Sequence, residues 1–412
     1  MSGPASAVES ADSTLAREPQ PRRKSLGDVL LAVPSTLITI PAYALKGLAW
    51  GVVTLTTQDT FVGEIVRYFS RPQATVAPLV SYEANEGLAG GVAVRRWNTF
   101  GNGDRTRLKL LYSWHDYSTA DLKYTHLGAA DSALRIGFNA SYDRMPRETY
   151  YGPGNGAAEH DEVAFTMERT RVRGNVSLYP SRGWTIGAFA GYSDYNIFDG
   201  RDPDRLGDLA AIRERFSLSS ADTRSTQFVT IGGGLESDNR NSGGQPSRGG
   251  RRSLDVSYHT GVGSDDDIEF VQTRFEASQY IDLFEKRILA IRVIAQDIDR
   301  SRSASPNPFY LLSSLGGAES LRGYRTNRLV DRDMALVTIE YRYPIWDVID
   351  AFLFLDEGRV FHSISNELSL RDWKYSAGFG LRVWNPDEVV VSAQIAKSDD
   401  GVQFFFHAGQ DF

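Results

Sequence analysis

From Thr75 to the C-terminus the chain repeats one pattern, strand-length runs in which apolar and polar side chains alternate. In Arg107–His115, Leu108, Leu110, Tyr112 and Trp114 fall on one face, with Arg107, Lys109, Ser113 and His115 on the other. Val271–Ser278 sets Val271, Thr273, Phe275 and Ala277 against Gln272, Arg274, Glu276 and Ser278. Lys374–Val383 sets Tyr375, Ala377, Phe379, Leu381 and Val383 against Lys374, Ser376, Gly378, Gly380 and Arg382. Side chains of an extended chain point alternately to its two sides, so each run makes a strand with one apolar face. A soluble sandwich buries such faces against each other. Here the opposite face carries Arg and Lys on strand after strand, which suits a wet lumen inside and lipid outside. Lipid offers the backbone no hydrogen-bond partner, so a sheet that spans it has to close on itself.

About sixteen such runs can be counted, an even number as in bacterial barrels. The expected fold is therefore an all-β membrane protein, a roughly 16-stranded antiparallel transmembrane β-barrel over residues 75–412. The long connections, 145–162, 197–222, 299–333 and 358–371, all follow odd-numbered runs and share one end of the barrel. Most connections at the other end are short turns, such as Pro180-Ser181-Arg182-Gly183 and Asn385-Pro386-Asp387-Glu388; segment 237–251 is the exception. The last nine residues read Phe-Phe-Phe-His-Ala-Gly-Gln-Asp-Phe. Counting back from Phe412 places Phe404 and Phe406 on its face, while Gly409 lies on the other. A chain ending on an aromatic residue in such a strand looks like a bacterial outer-membrane barrel, so Phe404, Phe406, Gly409 and Phe412 are the candidate C-terminal signal. A mean hydropathy of −0.32 fits, because alternation conceals apolar content.

Residues 1–24 are rich in Ala, Ser, Pro and charge and read as a disordered tail. Residues 25–74 hold the helix-like stretch, interrupted by Asp28, Pro34, Pro41 and Lys46. It reads as a short N-terminal amphipathic segment at the membrane interface, with an export signal as the alternative. Within it, residues 25–69 could also dock an envelope partner. The net charge is −7 and no basic tract suits nucleic acid. The chain has no cysteine, which argues against a disulfide scaffold or thiol enzyme. His115, His126, His160, His259, His362 and His407 lack metal-ligand spacing, and neither a Gly-x-Ser-x-Gly elbow nor a His-Glu-x-x-His helix occurs. No cofactor, metal site or catalytic residue is expected. Asp265-Asp266-Asp267 suits either a solvated turn or a cation such as those that bridge lipopolysaccharide.

The segment Gly316-Gly317-Ala318-Glu319-Ser320-Leu321-Arg322-Gly323-Tyr324 resembles the sixth extracellular loop of the BamA/TamA surface-antigen family. The resemblance implies that this loop folds back into the lumen and that its arginine pairs with acids on the inner wall. The matching motif is Leu321, Arg322, Gly323 and Tyr324, and the matching partners are Glu340, Asp356 and the neighbouring Gly358. Asp238, Arg240, Pro246 and Gly249 resemble the family's turn before its ninth strand, which accounts for the long connection at the turn end. Tyr150-Tyr151-Gly152-Pro153-Gly154-Asn155 resembles the family's Tyr-Gly-x-Gly-Asn loop motif. About 74 residues precede the barrel without the strand–helix alternation of periplasmic POTRA domains, so the resemblance is to the POTRA-less branch.

The resemblance implies insertion or translocation of protein, or of lipid, at the outer membrane, with the seam between first and last strands as the working element. The expected surroundings are outer-membrane lipid and lipopolysaccharide. A structural or partner-binding barrel and a passive channel are the alternatives; the inward loop argues against the channel.

Overall fold

The computed structural model describes residues 74–408, with breaks at 102, 127–132, 203–206, 244, 266, 285, 301–302, 304, 347–348, 370 and 385–388. The first half of the wall is β1 (Ala74–Glu83), β2 (Gly87–Trp97), β3 (Arg105–Ser113), β4 (Ser118–His126), β5 (Leu134–Tyr150), β6 (Val163–Ser181), β7 (Trp184–Asp199) and β8 (Thr226–Asp238). Then come β9 (Gly249–Gly261), β10 (Glu269–Phe284), β11 (Arg287–Asp299), the short β12 (Ser313–Leu315) and β13 (Leu329–Asp331), and β14 (Asp333–Trp346). The chain finishes with β15 (Ile349–Phe361), β16 (Lys374–Trp384), β17 (Val389–Ser398) and β18 (Gly401–Ala408). Among the described residues two α-helices, α1 (Leu209–Phe216) and α2 (Ile364–Glu367), lie in connections of the long-loop end.

β1–β11 and β14–β18 form one closed barrel of antiparallel neighbours, and β1 pairs with β18 to complete the circle. Sixteen strands make the wall, as the alternation implies. β12 and β13 pair with each other, as a ribbon inside the connection from β11 to β14, and Val330 of β13 also bridges to Pro153.

The burial pattern is that of a soluble protein turned inside out. Ile231 is 55% exposed and Phe379 59% on the outer face, whereas Asp356 is 0% exposed on the inner one. Apolar surface left in water costs about 25 cal/mol per Å², so an outer face of this kind belongs in lipid. Among the described residues no helix is long and apolar enough to cross a membrane; the crossing is made by strands.

The inner face is bound across strands by ion pairs and hydrogen bonds. Asp121 accepts from Arg107 at 3.1 Å and from Asn139 at 2.7 Å, Asp143 from Arg169 at 2.9 Å, and Glu236 from Arg251 at 2.6 Å. At the long-loop end, Tyr150, Val163, Phe165, Ile212, Phe309 and Val330 form an apolar core roofing part of the barrel. α1 contributes Ile212 to it; Asp208 caps its N-terminus, accepting from the Ala210 N–H at 2.7 Å.

Candidate functional site

The connection from β11 to β14 turns back into the barrel. Its tip puts Arg322 against the inner wall, where the residue is buried. Arg322 Nε donates to Asp356 Oδ2 at 2.7 Å and Nη2 to Oδ1 at 2.8 Å, a bidentate fork on one carboxylate. The Arg322 backbone N–H reaches the same carboxylate at 3.2 Å, and the Thr338 hydroxyl donates to it at 2.8 Å. The guanidinium also lies over the Phe354 ring, 3.4 Å from its centroid, and Nη1 donates to Gln394 Oε1 at 3.2 Å.

Glu340 stands differently. It is 3.6 Å from Arg322 and is held mainly by Arg342 at 2.6 Å and Arg382 at 3.1 Å. Asp356 is therefore the hydrogen-bonded partner of the loop arginine, and Glu340 a flanking charge. Two cations beside it keep this buried acid compensated, without which burial of the charge would be costly.

The neighbouring motif residues fit the wall by shape. Gly323 has φ +92°, and a Cβ there would meet Ser376 Cβ at 3.0 Å and the backbone of Lys397 at 3.1 Å. Its carbonyl accepts from the Ser398 hydroxyl at 2.6 Å. Leu321 and Tyr324 pack with Leu315, Leu329, Met334 and Leu336 in a separate apolar cluster. Gly358 backs directly onto Leu315 of β12, which would lie 2.9 Å from an added Cβ.

Further anchors have no counterpart in the sequence reading. Arg328 pairs with Asp400 in the turn between β17 and β18, donates to the Ala157 carbonyl at 2.9 Å and lies over the Tyr151 ring. Asn327 donates to Glu148 at 2.7 Å and Arg325 pairs with Glu162 at 2.9 Å. The Tyr-Gly-Pro-Gly-Asn loop joins this assembly. The Gly154 N–H donates to the Val330 carbonyl at 2.7 Å, and Asn155 accepts from the Val360 N–H at 3.0 Å.

At the opposite end, Asp238 and Arg240 form a tight pair within one turn, Nη2 to Oδ2 at 2.7 Å, and the Arg240 N–H donates to Oδ1 at 3.0 Å. Pro246 is buried and Gly249 opens β9. Between them Gln245 sends its side-chain amide to Asp350, a buried residue of β15.

In β18, Phe404 faces outward, 47% exposed, and Phe405 faces the lumen. Phe406 pairs with Tyr82 across the closure. Gly409 and Phe412, the residues 1–69 that carry the tail and the interfacial segment, and Asp266 lie outside the described residues.

The acidic run is engaged by protein groups. Asp265 accepts from the Gln227 N–H at 3.0 Å, and Asp267 pairs with Arg224 at 2.5 Å and with the Ser305 hydroxyl. The Ser305 hydrogen bond, with Arg224, holds the Asp267 carboxyl below its usual range. Among the described residues no group of three His, Asp or Glu is placed to hold a metal ion.

A closed barrel with an apolar exterior, a charged lumen and a loop pinned inside by an arginine defines an integral outer-membrane barrel with an inward-folded loop. Residues 98–412 match the model of the Omp85 superfamily domain, and the chain belongs to that superfamily. Solved structures of the same fold include BamA from Haemophilus ducreyi lacking POTRA domains 1–3, with TM-score 0.60 and 18% identity over 82% of this chain and 70% of that one. CdiB from Acinetobacter baumannii follows, with TM-score 0.53 and 13% identity over 82% of this chain and 60% of that one. CdiB from Escherichia coli has TM-score 0.52 and 14% identity over 82% of this chain and 63% of that one. At such identities the likeness is one of fold. No curated protein matches the chain in sequence.

Proposed function

We propose that this barrel inserts or translocates protein at the outer membrane by opening between β1 and β18, while Arg322 and Asp356 keep the sixth loop seated in the lumen. The observation that carries the proposal is the closing seam. Among the described residues, β1 and β18 pair only at Val80–Ala408, Ser81–His407 and Tyr82–Phe406. β1 pairs with β2 along its whole length, from Ala74–Arg96 to Glu83–Gly87. Residues 401–405 of β18, held by β17 on one side, have no β1 partner among the described residues. Ladder hydrogen bonds are what a wall gives up when it parts in lipid, and on the β1 side the described residues 401–405 of β18 have none to give up.

The inward loop and its roof favour this reading over a passive channel. The test is a tether. Ser81→Cys with His407→Cys joins two directly paired positions in a chain that has no other cysteine. Oxidised protein in liposomes should fail to insert an unfolded outer-membrane barrel, and reduction should restore insertion. Equal insertion by the oxidised and reduced forms would sink the proposal.

A further inference from the structure

Two motifs at opposite ends of the barrel share one run of buried charge. From the outer side, Arg322 stands 3.6 Å from Glu340. Glu340 receives Arg342 at 2.6 Å and Arg382 at 3.1 Å. Arg382 lies directly opposite Asp350 in the ladder between β15 and β16, and the Asp350 charge also acts on Arg342. Asp350 in turn accepts from Gln245, in the turn of the Asp238–Arg240 motif. Asp350 is thus a second buried carboxylate in the neighbourhood of the two guanidinium groups that hold Glu340.

We infer that Gln245 and Asp350 are positioning residues for the Arg322 contact. The Gln245 amide engages Asp350 and lessens its pull on Arg382 and Arg342, which stay with Glu340. If the turn moves away, Asp350 draws those cations toward the periplasmic end. Glu340 is then under-compensated and attracts Arg322, whose fork on Asp356 opens. A molecule that engages the turn from the periplasm would in this way loosen a loop at the other end of the barrel. The inference does not need the seam to open and stands apart from the transport proposal.

The relay makes predictions of opposite sign for its two residues. Gln245→Ala strips Asp350 of its amide and should loosen the loop. Asp350→Asn removes the competing charge, leaves both arginines to Glu340 and should not loosen it. A merely structural contact would make both changes loosening.

The test is thiol labelling at Leu321→Cys, a position buried when the loop is docked, in a chain otherwise free of cysteine. Rates are measured on intact purified barrel whose closure is checked by heat-modifiable gel migration. Arg322→Ala sets the upper limit and Ser365→Cys, on the exposed face of α2, reports reagent reactivity. Expected are a rise of about threefold or more for Gln245→Ala, an unchanged rate for Asp350→Asn, and suppression in the double variant. An unchanged rate for Gln245→Ala, or equal loosening by both changes, would overturn the relay. If Asp350→Asn does not fold, adding Gln245→Ala to Arg322→Ala decides: no further rise supports the relay, and a multiplied rise refutes it.

Discussion

At the scale of residues, the site depends on the shape of a guanidinium as much as on its charge. Arg322 makes a fork on Asp356, rests on Phe354 and reaches Gln394, a set of directions that a flexible ammonium does not reproduce. Arg322→Ala leaves Asp356 buried without its cation, a change costing about 3–5 kcal/mol in comparable pairs. Proteolysis within 316–328 should accelerate in Arg322→Ala, and planar-bilayer recordings should show a nearly closed wild type becoming conductive. Arg322→Lys should fall between the two, and unchanged digestion and conductance in Arg322→Ala would count against the clamp. Arg322, Gly323, Glu340 and Asp356 could be named from the sequence because a family resemblance marks them. Arg328 with Asp400, Asn327 with Glu148 and Gln245 with Asp350 could not. Their partners lie far apart in sequence, and nothing local distinguishes such a side chain from a solvated one.

At the scale of elements, strands were legible because alternation is a local property that survives any tertiary arrangement. Pro180 and Ser181, expected in a turn, instead extend β6, whose register shifts between Leu178 and Ser181 before the turn is made. A proline is tolerated where the ladder is irregular. The β12–β13 ribbon escaped notice because each strand spans only three residues and is held from outside, by Gly358 and by the 151–155 loop. α1 escaped for a similar reason, being a short helix ordered by the roof it packs into.

The turn between β9 and β10 makes a prediction of its own. Asp267 has a folded pKa lowered by Ser305 and Arg224. Its contribution to holding the turn on the neighbouring loop is therefore complete above the unfolded carboxylate value of about 3.9 and is lost as pH falls through the lowered folded value. Hydrogen exchange in 262–268 should rise in that acid window and not between pH 5 and 7, and Asp267→Asn should abolish the transition. A transition that persists in the variant would assign it to another group.

At the scale of the whole molecule, the two faces of the wall have separate tasks. The outer face sets where the protein resides, and Ile231, Phe379 and Phe404 do this without specific partners. The inner face holds a set of charges that organises a loop and, through β14 to β16, reaches toward the turn before β9. Fold class was legible from the chain because the outer face obeys a periodic rule. The lumenal arrangement was legible only where a motif marked it, because pairing across a wide interior follows no period.

The position of Asp400 has a consequence for how such an object can be made. This residue anchors Arg328, just before the second strand of the ribbon, yet it lies in the last hairpin of the described barrel. The ribbon cannot seat completely until nearly the whole wall has been laid down, and once the circle is joined its bulk has no obvious way in. Seating and joining therefore have to be one event in time. Stopped-flow refolding of Arg328→Ala should show the circle closing more slowly, in step with ribbon burial. Two separable phases in the unaltered chain would mean that the wall is completed first and filled afterwards.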